Sequence, residues 1–341
     1  MKSASEVSRA PGRKQAGKCF AIPWRLACVA VLAVLCLPAA AQEYPTKAIS
    51  VIVAQAPGGE SDSATRMWAE YISKRVGQPV IVDNRPGAGG IPATQAVLKA
   101  PADGYTLYSA GTSSMVLYRL AYKSLPYDSV QDFRGVSLLA KFSYMLLGNP
   151  AAGIRSLDDL KRIASENPDK LNYGISVIGD GGHLMTEMIL NQLGVKLTPI
   201  PYKGIVPALS ALIAGDVQAQ IMSLALGLPQ VQAGKANALV VLRDKRLDEL
   251  PNVPTTSERG IKGMEDLFWA VIVAKAGTPD PIARKLHEIS QQFLKDPDTV
   301  ARFAKLKFDP MPGPLDGYEK ILATDIKKWS DVAKGLNLPQ Q

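Results

Sequence analysis

Cysteine is nearly missing from this 341-residue chain. Its only three, Cys19, Cys28 and Cys36, fall within the first 41 residues. Beyond them no thiol is available for a disulfide, a thiolate metal site or a cysteine nucleophile. Histidine is as scarce, with His183 and His287 the only two. A zinc-protease helix needs two histidines four apart and a third ligand. His183 and Glu187 have the spacing without the identities, which argues against a metal site. The pair fits a helix-start histidine bonded to its own Glu187. No Gly-x-Ser-x-Gly elbow for a nucleophilic serine occurs. The glycine run at 85–90 lacks the Lys-Ser/Thr of a phosphate loop, because Ile91-Pro92 stands there. After the first forty residues no apolar run is long enough to cross a bilayer as a helix.

The N-terminus does carry a pattern. Arg9, Arg13, Lys14, Lys18 and Arg25 precede an apolar stretch at 26–37, and Ala39-Ala40-Ala41 follows. A basic region, a short apolar core and small residues at the end read as a secretory signal peptide over 1–41, cut after Ala41. Leu35 before Cys36 is bulky and poorly suited to lipidation, so a soluble exported protein is expected. Six of the 39 basic residues and one of the 31 acidic ones lie in that segment, which leaves 33 against 30 and a net charge of +3 instead of +8. The basic balance therefore belongs largely to the export signal and gives no clustered footprint for nucleic acid. The 300 residues that remain are enough for two domains with good cores.

What is present is a repeated strand, glycine loop and helix. Residues 49–54 are a β-branched run, Pro57-Gly58-Gly59 breaks it, and Ser61 or Asp62 can cap a helix whose apolar face holds Met67, Trp68, Tyr71 and Ile72. Strands are expected at 79–84 and 105–110, with a helix at 91–99 between them. Strands at 135–140 and 144–148 follow, then a helix over 156–165 capped by Ser156. A second series has strands at 171–176, 197–201, 217–222 and 236–242, alternating with helices at 184–193, 206–214 and 226–233. A strand at 267–274, a long helix to about 294 and a last helix at 318–332 complete the chain. This rhythm predicts parallel sheets with helices on their faces and ligand loops beyond the carboxyl ends of the strands. A glycine pair before a helix start lets backbone N–H groups approach an anion, and the helix dipole favours it. The plainer reading is a turn that only glycine permits.

Taken in order, several stretches resemble the tripartite tricarboxylate transporter substrate-binding proteins, the Bug family. They are Tyr44-Pro45-Thr46-Lys47, Ala56-Pro57-Gly58-Gly59 with Asp62, Asn84-Arg85-Pro86-Gly87-Ala88-Gly89-Gly90, and Asp103-Gly104-Tyr105-Thr106-Leu107. Leu125-Pro126-Tyr127-Asp128, Pro201-Tyr202-Lys203-Gly204, Ala233-Gly234-Lys235, Leu250-Pro251-Asn252-Val253-Pro254-Thr255 and Ala276-Gly277-Thr278-Pro279 continue the match. The resemblance implies an α/β, two-lobed periplasmic binding protein fold (type II-like, Venus flytrap), each lobe a sheet flanked by helices. It implies a small carboxylate held by backbone amides and waters, without metal or organic cofactor. Carried over by position, Gln55, Pro57, Gly58, Gly59 and Asp62 would face the ligand from the first lobe beside Thr112 and Ser113. Gly179, Asp180, Gly181, His183, Tyr202, Lys203 and Gly204 would face it from the second, with Ser223 on the cleft floor. Two departures stand out. Val177 replaces an expected glycine and Asp180 an expected serine, and Met222-Ser223 replaces the usual Phe-Asp.

The expected division is 42–146 with 265–341 for one lobe and 147–264 for the other. The expected function is capture of a small organic carboxylate for uptake by the membrane components of a tripartite tricarboxylate transporter, by a monomer, without catalysis. The alternative is an exported sensing domain that presents its ligand to a sensor kinase. An enzyme of the same fold ranks below both. Asp180 is expected either to exclude a second carboxylate from the distal pocket or merely to cap the helix that follows it.

Overall fold

The computed structural model describes residues 44–264 and 268–336. The expected signal peptide, the three cysteines and Leu267, where a strand is expected to begin, lie outside the described residues. The chain runs β1 (Ile49–Val53), α1 (Glu60–Val76), β2 (Val80–Asn84), α2 (Ile91–Lys99) and β3 (Thr106–Gly111). A π-helical turn (Ser113–Leu117) leads into α3 (Tyr118–Ala121), then β4 (Phe133–Phe142) and β5 (Tyr144–Gly148). Next come α4 (Leu157–Glu166), β6 (Asn172–Ile175), α5 (Gly181–Leu193), β7 (Thr198–Pro201), α6 (Ile205–Ala214), β8 (Ala219–Ser223), α7 (Leu224–Gln232) and β9 (Asn237–Leu242). The last part is β10 (Phe268–Lys275), α8 (Asp280–Lys295), α9 (Pro297–Lys305), β11 (Phe308–Pro310) and α10 (Gly317–Leu336).

These strands form a six-stranded sheet in the order β11-β4-β10-β3-β1-β2 and a five-stranded sheet in the order β7-β6-β8-β5-β9. The α/β class with two helix-flanked sheets is as expected, but the sheets are mixed, not parallel. In each, one interior strand is reversed against the parallel set: β10 runs against β3 and β4, and β5 against β8 and β9, while β4 has antiparallel partners on both sides, β10 and the edge strand β11. Both reversed strands belong to the two passages between sheets. The chain goes from β4 to β5 through Ser143 alone, and from β9 back to β10. Neither passage contains a crossover helix returning to its own sheet, which a parallel neighbour would need.

Both faces of each sheet are covered, which is why the strands are apolar on both sides. In β1, Ile49 and Val51 face one core with Trp68 and Ile72 of α1 and Phe293 of α8, while Ile52 faces the other. That second core runs continuously from Trp269 and Val271 of β10 to Leu184, Met185 and Ile189 of α5, so the two sheets share it. Ser156 caps α4 as expected, accepting from Asp159 N–H at 3.1 Å. For α1 the expected cap is corrected. Gly59 is the N-cap residue, and Ser61 and Asp62 lie inside the first turn. The π-helical turn, α3, α9 and β11 are additions to the expected elements.

Candidate ligand-binding site

Parallel strands deliver their following loops to one edge of a sheet, and a reversed strand begins where its neighbours end. The loops after β1, β3, β6 and β7 therefore meet the first residues of β5 and β10. They enclose a cavity of about 650 Å³. Four helical starts open onto it: Gly59–Ser61 at α1, Thr112–Ser114 at the π-helical turn, Asp180–Gly182 at α5 and Gly204–Val206 at α6. The first N–H groups of a helix have no partner within it. Among the described residues, no hydrogen bond reaches the backbone N–H of Glu60, Gly181, Gly182, Ile205 or Val206. The cavity thus gathers unused donors and the positive ends of helix dipoles from both sheets, an arrangement that suits an anion.

Of the residues expected at the site, Gln55, Pro57, Gly59, Thr112, Ser113, Asp180, Gly181, Tyr202, Lys203 and Gly204 line this cavity. Gly204 adopts φ +121°, a conformation glycine adopts readily, which turns the chain from β7 into α6. Five expected residues do not line the cavity. Gly58, at φ +85°, donates its N–H to Asp62 Oδ2 at 2.9 Å. Asp62 is buried and also accepts from Arg66 Nε at 3.0 Å and Asn84 Nδ2 at 2.8 Å. Burial alone would raise its pKa, but those three bonds outweigh it and hold the carboxyl below its usual range. Asp62 is therefore a brace for the loop. Gly59 N–H is also used, by Ala56 O at 3.3 Å. The expectation that Gly58 and Gly59 supply free donors is thus corrected to Glu60, one residue on. Gln55 Oε1 accepts from Ser61 N–H at 3.1 Å and takes the place of the missing side-chain cap on α1.

The remaining three are Gly179, His183 and Ser223. Gly179 N–H donates to His183 Nδ1 at 3.0 Å, so the ring proton sits on Nε2. Burial lowers the His183 pKa, and the ring stacks on Tyr173 at 6.3 Å. Glu187 pairs with the Tyr173 hydroxyl at 2.5 Å, which replaces the expected His183–Glu187 contact. Ser223 is buried, with its hydroxyl unpartnered among the described residues.

Asp180 has the expected capping role and also faces the cavity. It caps α5 by accepting from His183 N–H at 2.8 Å, and it also lines the cavity. Its other oxygen accepts from Val177 N–H at 3.2 Å and from the Ser176 hydroxyl. Burial raises its pKa against these bonds. Two polar residues of the cavity that the sequence reading passed over are Glu60 and Tyr144. The Tyr144 hydroxyl donates to Glu60 Oε1 at 2.9 Å. Burial, then the nearby charges of Glu60 and Asp180, push the Tyr144 hydroxyl well above the usual tyrosine range.

The family model described as tripartite tricarboxylate transporter family receptor matches residues 64–338. The chain is 32% identical over 298 residues to Protein BugT of Bordetella pertussis (strain Tohama I), covering 87% of this chain and 91% of that one. It is similar to the solved structure of R. palustris Rpa4515 with adipate, at 31% identity and a TM-score of 0.83, covering 88% of this chain and 100% of that one. It is also similar to MatC (Rpa3494) from Rhodopseudomonas palustris with bound malate, at 28% identity and a TM-score of 0.78, covering 85% and 100% of the two chains.

Proposed function

Because the chain belongs to the tripartite tricarboxylate transporter receptor family, we propose that it is a periplasmic solute-binding protein that captures a small carboxylate for uptake. The observation that carries this reading is the convergence of four helical starts, two from each sheet, on one cavity. Relatives with adipate and malate bound support the ligand class. The lobes are 42–146 with 265–341, and 147–264. They close on the ligand because contacts from both sets of helix starts to one anion exist only in the closed state. The protein acts as a monomer and hands its ligand to the membrane components of a transporter.

Binding here is without catalysis. His183 is buried and does not line the cavity, and His287 bonds the Val136 carbonyl at 2.8 Å, so neither serves a cavity serine as a base. Mass spectrometry of ligand released from purified protein should find a small carboxylate. Titration calorimetry with that compound should then give one site per chain. If no carboxylate is released and none binds, the reading is wrong.

Residues 1–41 are proposed to direct export and to be removed after Ala41. N-terminal sequencing of the periplasmic protein should begin within a few residues of Gln42. An intact N-terminus in the cytoplasm would overturn this.

A further inference from the structure

We propose that the cavity selects carboxylates that also carry a cationic amine, with Glu60 and Asp180 as the residues that read the amine. The inference rests on the solute-binding reading and narrows its ligand class. The charged residues on the cavity wall are Glu60, Asp180 and Lys203. Lys203 is exposed, whereas Asp180 is only 7% exposed. Each acid sits at the start of one helix, Glu60 at α1 and Asp180 at α5, and these helices come from different sheets. The other two starts, Thr112–Ser114 and Gly204–Val206, carry no acid, and Lys203 adjoins the second. The wall is therefore divided. One part offers helix ends with a lysine, and the other offers helix ends already faced by carboxylates.

Tyr144 links the two acids. It donates to Glu60, and its hydroxyl also feels the charge of Asp180. Its strand partner across β5 and β8 is Ser223. Residues directly opposite in an antiparallel pair share a face, so the Ser223 hydroxyl lies on the face that Tyr144 presents to the cavity. Ser223 is 3% exposed, and its buried hydroxyl has no partner among the described residues. A buried polar group without a partner is costly, and here it adjoins the acidic part of the wall. A ligand ammonium has three donors and no acceptor. It can satisfy Glu60 and Asp180 together. A second carboxylate at the same place is repelled by both acids. Burial disfavours the charged form of Asp180, and the hydrogen bonds from Ser176, Val177 and His183 oppose that effect.

The test is calorimetric titration of the mature protein with matched pairs in which an ammonium replaces one carboxylate: 4-aminobutanoate against glutarate, and 5-aminopentanoate against adipate. The wild type should bind the amino acid of at least one pair tenfold or more tighter than its dicarboxylate. Glu60→Gln and Asp180→Ser should each reduce that preference about tenfold, and the double variant should reverse it. Glutamine keeps an acceptor for Tyr144, and serine keeps a cap for α5. Thermal melts establish that each variant is folded. If the wild type binds the dicarboxylates as tightly as their amino partners, the inference fails and the solute-binding reading stands. If the preference survives both substitutions, the assignment of these residues is wrong. If no member of either series binds and no carboxylate is released from the purified protein, both fail.

Discussion

Gly181→Val should abolish ligand capture while leaving the secondary structure of both halves intact. A Cβ at Gly181 would lie 2.1 Å from Phe268 Cε1 and 2.3 Å from Cζ. Phe268 cannot step aside, because its ring is packed edge-on against Tyr144 at 5.2 Å and Trp329 at 5.8 Å. Gly181 opens α5 against the five-stranded sheet, whereas Phe268 opens β10 in the six-stranded sheet. The clash is thus between the two halves, at the edge of the cavity. A rigid contact of this kind is relieved most cheaply by the halves moving apart. The donors of α5 and α6 then lose their reach to a ligand held by α1 and the Thr112–Ser114 turn. Affinity should fall at least a hundredfold, roughly 2.7 kcal/mol. Gly181→Ala should lose about tenfold, since a single methyl needs a smaller separation. Calorimetry reads the affinity, and small-angle scattering reads the separation of the halves. Wild-type affinity in the valine variant would show that the close approach is not needed for capture.

This also changes how the glycine loop at 179–182 is understood. From the sequence it reads as a source of N–H donors for an anion. Gly181 and Gly182 do keep unused N–H groups, but Gly179 spends its own on His183. A Cβ at Gly179 would meet Ala121 Cβ at 2.6 Å, and its φ of +83° already disfavours a side chain. Two glycines of this loop therefore remove side chains where one half of the protein meets the other. That requirement arises between residues 58 and 87 positions apart in sequence, which no local pattern expresses.

The same limit explains what was legible and what was not. Alternation of β-branched runs, glycine turns and apolar helical faces is a local signal, and it carries the strand–helix series and the Ser156 cap. Strand direction depends on which sheet a segment joins, so β5 and β10 look like ordinary strands and turn out reversed. That reversal brings Tyr144 and Phe268 to the cavity. Glu60 and Tyr144 are common residues with no motif, and only the topology brings them together across 84 positions. The helix α9 did have a signal. Asp296-Pro297 is a cap and first-turn proline pair, and Asp296 accepts from Thr299 N–H at 3.0 Å. The expected long helix ends at about 294, and no element is expected over 297–305. Asp180 is legible in the sequence as an anomaly. In the structure it caps α5 and lines the cavity at once, because an N-cap residue of a helix that starts at a cavity lines that cavity.

The largest expected loss of stability comes from Trp68→Ala. Trp68 is fully buried on α1, in the core shared with Ile72 and with Leu286 and Phe293 of α8. Its indole Nε1 donates to Ser290 Oγ of α8 at 2.8 Å, across 222 positions of sequence. Ser290 Oγ donates in turn to the Leu286 carbonyl at 2.7 Å. Truncation to alanine removes the ring and leaves a cavity between two helices whose positions the sheet already fixes, so collapse can fill little of it. A loss of about 3–5 kcal/mol is expected, a large share of the roughly 5–15 kcal/mol available to a native protein. Trp68→Phe separates packing from hydrogen bonding. It keeps most of the apolar volume, and Ser290 keeps its bond to Leu286, so the expected cost is only about 1–2 kcal/mol. Urea unfolding of both variants measures these losses. The two should also differ at the ligand site, because α1 is the helix whose first turn carries Glu60 and Ser61 into the cavity. With alanine, α1 loses its anchor on α8 and the loop at 55–59 loses its fixed direction, so ligand affinity should fall. With phenylalanine the anchor persists and affinity should hold. An alanine variant within about 1 kcal/mol of wild type, or a phenylalanine variant as weak in binding as the alanine one, would mean that the ligand loop takes its position from its own internal bonds, the Asp62 brace above all, and not from the packing of α1 on α8.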